Sequence, residues 1–178
     1  MPSQDWVGVL ARAETDGTAY ANLTARTSLT PAHARFTTPA NGFWVVGKVL
    51  RLTAAGRVST FTSGTLTLSF GVAAVDAWTS GALALVASQT NITWRLRLDV
   101  AVRAVGAGGS ATANLMGIGT LSGGLAYTGQ PLLPSSAPAI GTSFDPAAAS
   151  VLDLFGAWSV ANAANSIQVH TYTLESLN

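Results

Sequence analysis

The chain has 178 residues, of which only 10% are charged, and its formal net charge is +1. An ordinary soluble domain carries about 25% charged residues, so this surface must be made mainly of neutral polar side chains. The small charge excludes binding to a phosphate backbone through clustered Lys and Arg, and the absence of cysteine excludes disulfides and thiolate chemistry. No apolar run approaches the roughly 20 residues of a membrane-spanning helix. We therefore expect one domain, made in a cytoplasm, with no nucleic-acid or membrane partner.

The first forty residues differ from the rest of the chain. They contain Pro2, Pro31 and Pro39 and show little hydrophobic periodicity, which indicates an extended arm with short pieces of structure at most. The alternative is a first strand whose alternation the sequence does not reveal. If the segment is an arm, the rest of the chain should fold without it.

From residue 41 onward the sequence is typical of β-strands separated by turns. Asn41-Gly42 is a turn signal, and Ala55-Gly56-Arg57 is expected to end the first strand. Further Gly, Pro and Ser clusters punctuate the chain, including a long loop over residues 122–147. The predicted strands cover residues 43–53, 58–61, 65–72, 92–105, 111–121, 150–160 and 166–178.

Residues 92–105 give the clearest pattern. Apolar side chains alternate with polar ones, as in Trp94-Arg95-Leu96-Arg97, and a period of two indicates a half-buried strand. No segment has the spacing of an amphipathic helix. The sequence therefore predicts an all-β fold: a jelly-roll-like antiparallel β-sandwich over residues 41–178, with an extended N-terminal arm over residues 1–40.

Residues with catalytic or ligand-binding chemistry are few and scattered. The only histidines are His33 and His170, too far apart in sequence to suggest a metal site, although His170 could lie at a subunit contact. Ser143 follows a glycine but lacks the closing glycine of a nucleophile elbow. The acidic residues show no pairing that indicates glycoside cleavage; Asp145 and Asp153 are expected in turns, and Asp99 is expected to pair with Arg97 or with an arginine on a neighbouring strand. We predict no catalytic, cofactor or metal site, and hence no enzyme.

The five tryptophans fall into two groups according to how apolar the surrounding sequence is. Trp94, Trp44 and Trp158 lie in apolar segments and are expected in the core. Trp6 and Trp78 are less constrained, and Trp6 could contribute to an interface.

Three stretches of the chain together resemble a group of tailed-phage virion proteins. They read ANGFWVVGKVLRLTAAGRVSTFTSGTLTLSFGV, TWRLRLDVAVRAVG and DLFGAWSVANAANSIQVHTYTLESLN. In that group a jelly-roll-like β domain opens with a similar glycine-containing pattern and ends in a similar tryptophan-to-asparagine pattern. The resemblance covers about three-quarters of the chain, from residue 40 to residue 178.

This resemblance implies a structural, non-enzymatic virion protein, commonly a homotrimer. We expect a capsid decoration or cement protein that binds the major capsid protein on the head surface; the alternative is a tail-tip or fibre protein that contacts a receptor or glycan. An extended arm would suit the clamping of neighbouring capsid subunits. The candidate capsid contacts in that arm are Trp6, Val7, Val9, Leu10, Arg12, Arg26 and Arg35.

Overall fold

A computed structural model describes residues 7–61, 64–72, 75–106, 113–123, 132–134 and 139–177. Within these ranges the regular structure is β-strand, apart from one 3-10 turn at Ala32–Ala34. The strands in chain order are β1 (Gly8–Arg12), β2 (Tyr20–Ala21), β3 (Thr27–Ser28), β4 (Phe36–Thr38), β5 (Val49–Thr60), β6 (Thr65–Val72), β7 (Val75–Ala84), β8 (Gln89–Ala104), β9 (Ala113–Ser122), β10 (Leu132–Leu133), β11 (Ala139–Phe144), β12 (Ser150–Trp158) and β13 (Ser166–Ser176).

The strands form two antiparallel sheets. Sheet A has the order β1-β13-β5-β8-β9, with β2 also paired to β13 and with β10 and β11 both paired to β9. Sheet B has the order β12-β6-β7, and β3 and β4 pair with the other edge of β12. The apolar faces of the two sheets share one core of buried side chains. The predicted all-β antiparallel sandwich is therefore confirmed.

The alternation along β8 has the predicted register. Trp94 is 2% exposed and Leu96 and Leu98 are fully buried, whereas Arg95 and Arg97 lie on the outer face. Successive side chains of a strand point to opposite faces. The alternation of apolar and polar residues along β8 therefore places the apolar side chains in the core and the arginines in solvent.

Strand β5 is longer than the sequence suggested. The prediction that Ala55-Gly56-Arg57 ends a strand is wrong, because all three residues lie inside β5. A Cβ atom at Gly56 would lie 1.8 Å from the carbonyl oxygen of Gln168 on β13. The glycine is therefore required by the close approach of two strands beside the bulge between Val169 and Thr171.

The N-terminal segment is extended but is not separate from the sandwich. Strands β1 and β2 pair with β13, and β3 and β4 pair with β12. Between them, the side-chain amide of Gln168 donates to the carbonyl oxygen of Gly17 at 2.8 Å. The segment thus contains only short strands, as expected of an extended arm, but these strands are hydrogen-bonded to both sheets.

The predicted 122–147 loop lies partly outside the described residues, since 124–131 and 135–138 are not among them. Its described parts include β10 and β11, which pair with β9, so the loop contains strand structure. Strand β9, predicted over residues 111–121, pairs antiparallel with β8.

Trp78, whose position the sequence left open, is fully buried. Its indole nitrogen donates to the carbonyl oxygen of Leu133 at 3.1 Å. Gly117 on β9 lies against its side chain, where a Cβ atom would be 2.7 Å from it. Trp78 thus joins the β7 edge of sheet B to the β9–β10 edge of sheet A.

Candidate interaction surfaces

The described residues offer no grouping typical of a catalytic or metal site. No three His, Asp or Glu side chains gather within these ranges in a way that could hold a metal ion, and no helix there is long and apolar enough to cross a membrane. The two histidines contact the N-terminal segment instead. Nδ1 of His170 lies 2.9 Å from Oδ1 of Asp16, and Nε2 of His33 accepts a hydrogen bond from the backbone of Glu14 at 3.0 Å.

The predicted contact residues near β1 differ in exposure. Trp6 lies outside the described residues. Val7 and Val9 are 62% and 60% exposed, whereas Leu10 packs partly against the core. Arg12 lies 3.7 Å from Glu14, and both side chains are largely exposed. Val7 and Val9 are therefore the members of this group that are free to contact a partner through apolar surface.

Arg26 and Arg35 have internal partners on sheet B. Nε of Arg26 donates to Oδ1 of Asp76 at 3.0 Å, and its guanidinium lies 3.3 Å from the centre of the Phe155 ring. Nε of Arg35 lies 3.2 Å from Oδ2 of Asp153, which is almost completely buried. These contacts hold the N-terminal segment on the outer face of sheet B; a role for the two arginines in capsid binding stays a prediction.

Asp145 and Asp153 have different structural roles. Asp145 accepts a hydrogen bond from the backbone N–H of Ala147 at 2.8 Å, which confirms its expected turn role. Asp153 lies inside β12, not in a turn, and also accepts a hydrogen bond from Oγ of Ser28 at 2.9 Å. A buried carboxylate needs such partners because an unpaired buried charge is costly.

The outer face of sheet A carries most of the basic side chains. Asp99 accepts two hydrogen bonds from Arg51 on the neighbouring strand, from Nε at 2.7 Å and from Nη2 at 2.9 Å, as the sequence predicted for a cross-strand arginine. This bidentate pairing is the strong form of an Arg–carboxylate contact. The hydrogen bonds to Asp99 raise the pKa of Arg51 above its ordinary value.

Three further arginines lie on this face, and two of them line a groove. Arg57, Arg95 and Arg97 are all exposed, and none has a carboxylate within ion-pair distance among the described residues. Arg95 and Arg97, with Thr120 and Ser122 of β9, line a groove of about 380 Å³. We call Arg57, Arg95 and Arg97 the arginine row.

At one end of the sandwich, three loops expose apolar side chains. Phe61 after β5, Val86 after β7 and Val160 after β12 are 60%, 43% and 43% exposed. We call the surface that these three residues form the loop end. Hydrogen bonds hold two of these residues in place: Asn165 accepts from the backbone of Phe61 at 2.8 Å, and the Thr60 hydroxyl donates to the carbonyl oxygen of Val86.

A groove of about 540 Å³ lies beside the loop end. Its lining combines hydroxyl, amide and small side chains with the Phe61 ring and includes no charged residue. The lining residues are Ser59, Thr60, Phe61, Ser88, Gln89, Thr90, Ala163, Ala164 and Ser166. A neutral surface of this kind can be covered by a partner without removing charges from water.

Comparisons with known proteins assign no family. No family model and no curated protein sequence matches the chain. Among solved structures, the CBM2 module of the evolved Dit of Lactobacillus casei BL23 phage J-1 matches with 8% sequence identity and a TM-score of 0.38, over 97% of this chain and 97% of that chain. At these values the two structures do not define a common fold.

Proposed function

We propose that this chain is a structural, non-enzymatic component of a tailed-phage virion and that its loop end is covered by a neighbouring subunit. Two independent observations support the proposal. The first is the sequence resemblance of residues 40–178 to phage virion proteins. The second is the loop end itself, which carries the proposal: a fixed, uncharged surface with a 60% exposed phenylalanine.

The energetics of the loop end favour burial in an assembly. Covering a phenylalanine side chain contributes about 1.5–3 kcal/mol. The neutral lining reduces the cost of desolvation. The hydrogen bonds that Asn165 accepts from Phe61 and that Thr60 donates to Val86 already hold these residues in place, so little further ordering of them is needed on binding. Many identical contacts of this size can stabilise a particle.

The finer proposal is capsid decoration by a homotrimer that contacts the major capsid protein. Because residues 8–38 pair with the sandwich, the clamp cannot be a free arm of forty residues. Val7 and Val9, at the exposed edge of sheet A, are the predicted contact residues of the N-terminal segment that expose apolar surface for a capsid contact.

A tail-tip or fibre role that involves a glycan is the second candidate, and the composition of the loop-end groove favours it. An exposed aromatic ring beside hydroxyl and amide groups, here Phe61 with Ser88 and Gln89, can stack on a sugar and bind its hydroxyls. In that case Phe61 would contact a saccharide instead of a protein.

Replacing Phe61 in the phage genome tests the proposal. Phe61→Ser should reduce the amount of this protein in purified virions while its melting temperature changes little. Val45→Ser is the matched control, because Val45 is also half exposed but precedes the opposite end of β5. Normal incorporation of Phe61→Ser would exclude the loop end as the contact, and absence of the wild-type chain from virions would overturn the function itself.

Copy number separates the two locations. Hundreds of copies per particle support the head, and a handful support the tail. Light scattering on the purified protein tests the trimer, and a monomer at micromolar concentration would oppose the capsid decoration proposal. Binding of wild-type protein to a glycan array, lost in Phe61→Ser, would favour the second candidate.

A further inference from the structure

The arginine row is an unusual arrangement in a chain with so little charge. Arg95 and Arg97 are two residues apart on one face of β8, and Arg57 on β5 lies opposite Thr93. Side chains two apart on a strand are separated by about 7 Å, and diagonal neighbours across strands by about 7–8 Å. Three positive charges thus lie along roughly 14 Å of one sheet face.

Among the described residues no carboxylate lies within ion-pair distance of this row. Asp99, two residues from Arg97 on the same face, is bound by Arg51. Arg26 and Arg35 are likewise paired, with Asp76 and Asp153. The neighbours of Arg95 and Arg97 across the groove are the hydroxyl side chains of Thr120 and Ser122. These hydroxyls can donate to an anion but cannot neutralise a guanidinium. The row is therefore electrostatically complementary to a ligand that carries several negative charges.

A second copy of this chain is a poor partner for the row, because six of its seven described carboxylates already have an ion-pair or hydrogen-bond partner. Four of them pair with arginine: Glu14, Asp76, Asp99 and Asp153. Asp16 contacts His170, Asp145 holds a turn, and Glu175 lies opposite Arg51. The negative charges must then come from a different molecule.

The spacing and surroundings of the row favour carboxylates on an extended polypeptide. Acidic residues at alternate positions of a strand repeat every 7 Å or so, the same distance that separates the arginines. An arginine–carboxylate pair of this kind already exists on the outer face of sheet A, where Arg51 binds Asp99 through two parallel hydrogen bonds. A nucleic acid is a poorer fit, since the net charge of the chain is only +1 and three arginines offer few phosphate contacts.

We infer that the arginine row binds an acidic, extended segment of a protein other than this one, with Arg95 and Arg97 each pairing with one carboxylate. This inference goes beyond the proposed virion role. It concerns the face of sheet A, and it would hold whether the loop end contacts a capsid protein, a tail protein or a glycan.

A labelled peptide of alternating Glu and Thr, about twelve residues long so that it spans the row, is the probe. Fluorescence anisotropy with the full chain at low salt should show binding that weakens as salt is added. The same peptide with Gln in place of Glu should not bind. The double variant Arg95→Gln/Arg97→Gln should lose at least about tenfold in affinity.

The double variant Arg12→Gln/Arg103→Gln is the matched control, because it removes the same charge from positions on sheet A away from the groove. Its affinity should stay within about twofold of wild type. An equal loss in both variants, tighter binding of an oligothymidine of the same charge, or no binding of the acidic peptide would overturn the inference. Denaturation of the Arg95→Gln/Arg97→Gln variant should show unchanged stability, which excludes misfolding as the cause of lost binding.

Discussion

The outer faces of the two sheets use arginine in opposite ways. On sheet B, Arg26 and Arg35 come from the N-terminal segment and bind Asp76 and Asp153. On sheet A, Arg95 and Arg97 extend from a central strand toward a groove with no carboxylate partner among the described residues. The first face is covered by the chain itself, and the second is left open.

This difference shows that burial and partners, not residue type, decide the role of a charge. Asp153 is 4% exposed, so its pairing with Arg35 is part of the fold: losing one partner leaves the other without compensation. The arginine row is surrounded by water, where like charges repel weakly and removing one costs the fold little. Arginine on sheet B should therefore affect stability, and arginine on sheet A should affect binding.

The largest expected effect separates the core from the face above it. Trp94→Ala should lower the free energy of unfolding by about 3–5 kcal/mol, because it empties a buried aromatic site beneath the arginine row. Thr93→Ala, on the outer face, should cost under about 1 kcal/mol. Chemical denaturation of both variants measures the difference, and equal losses would contradict the register of β8.

The second test compares one carboxylate from each sheet. Asp153→Ala should lower the free energy of unfolding by about 2–3 kcal/mol, because it removes the partner of Arg35 and of the Ser28 hydroxyl. Glu175→Gln on sheet A should change it by less than about 0.5 kcal/mol. If both substitutions cost the same in urea denaturation, the N-terminal segment is not held by Asp153.

The smallest effect concerns the arginines themselves. Arg26→Gln should cost about 1 kcal/mol through the lost pair with Asp76 and the lost contact with the Phe155 ring. Arg95→Gln should leave stability within about 0.5 kcal/mol of wild type, or raise it slightly at low salt, because it relieves repulsion from Arg97. A clear destabilisation by Arg95→Gln would mean that the row serves the fold.

Much of the fold could be predicted because long strands repeat one pattern many times. Strand β8 alternates over its length, and β6 was predicted with the bounds that the structure shows. Strand β7 was missed because bulges interrupt its pairing with β6, so that Ala77 and Trp78 are both buried. Strands β2 and β3 have two residues each, too few for any period to be visible.

The candidate interaction surfaces could be predicted only in part from the sequence. Alternation alone placed Arg95 and Arg97 together on an outer face, so the row could be found from its period. The absence of carboxylate partners for Arg95 and Arg97 could not be predicted from the sequence, because the pairing of Arg51 with Asp99 depends on strand register. The loop end could not be predicted from the sequence either, because Phe61, Val86 and Val160 follow three different strands and lie at the same end only in the folded sandwich.

The pairing of the first strands with the last has a consequence for the timing of folding. Ser28 and Asp153 are 125 positions apart and Gln168 and Gly17 are 151 apart, yet each pair is hydrogen-bonded. Such distant contacts carry a large loop-closure cost and slow folding. During synthesis β3 and β4 wait for β12, and β1 and β2 wait for β13, so sheet A is complete only after the ribosome has passed β13. A translation product that ends before β13 therefore lacks a central strand of sheet A and the partner of both β1 and β2.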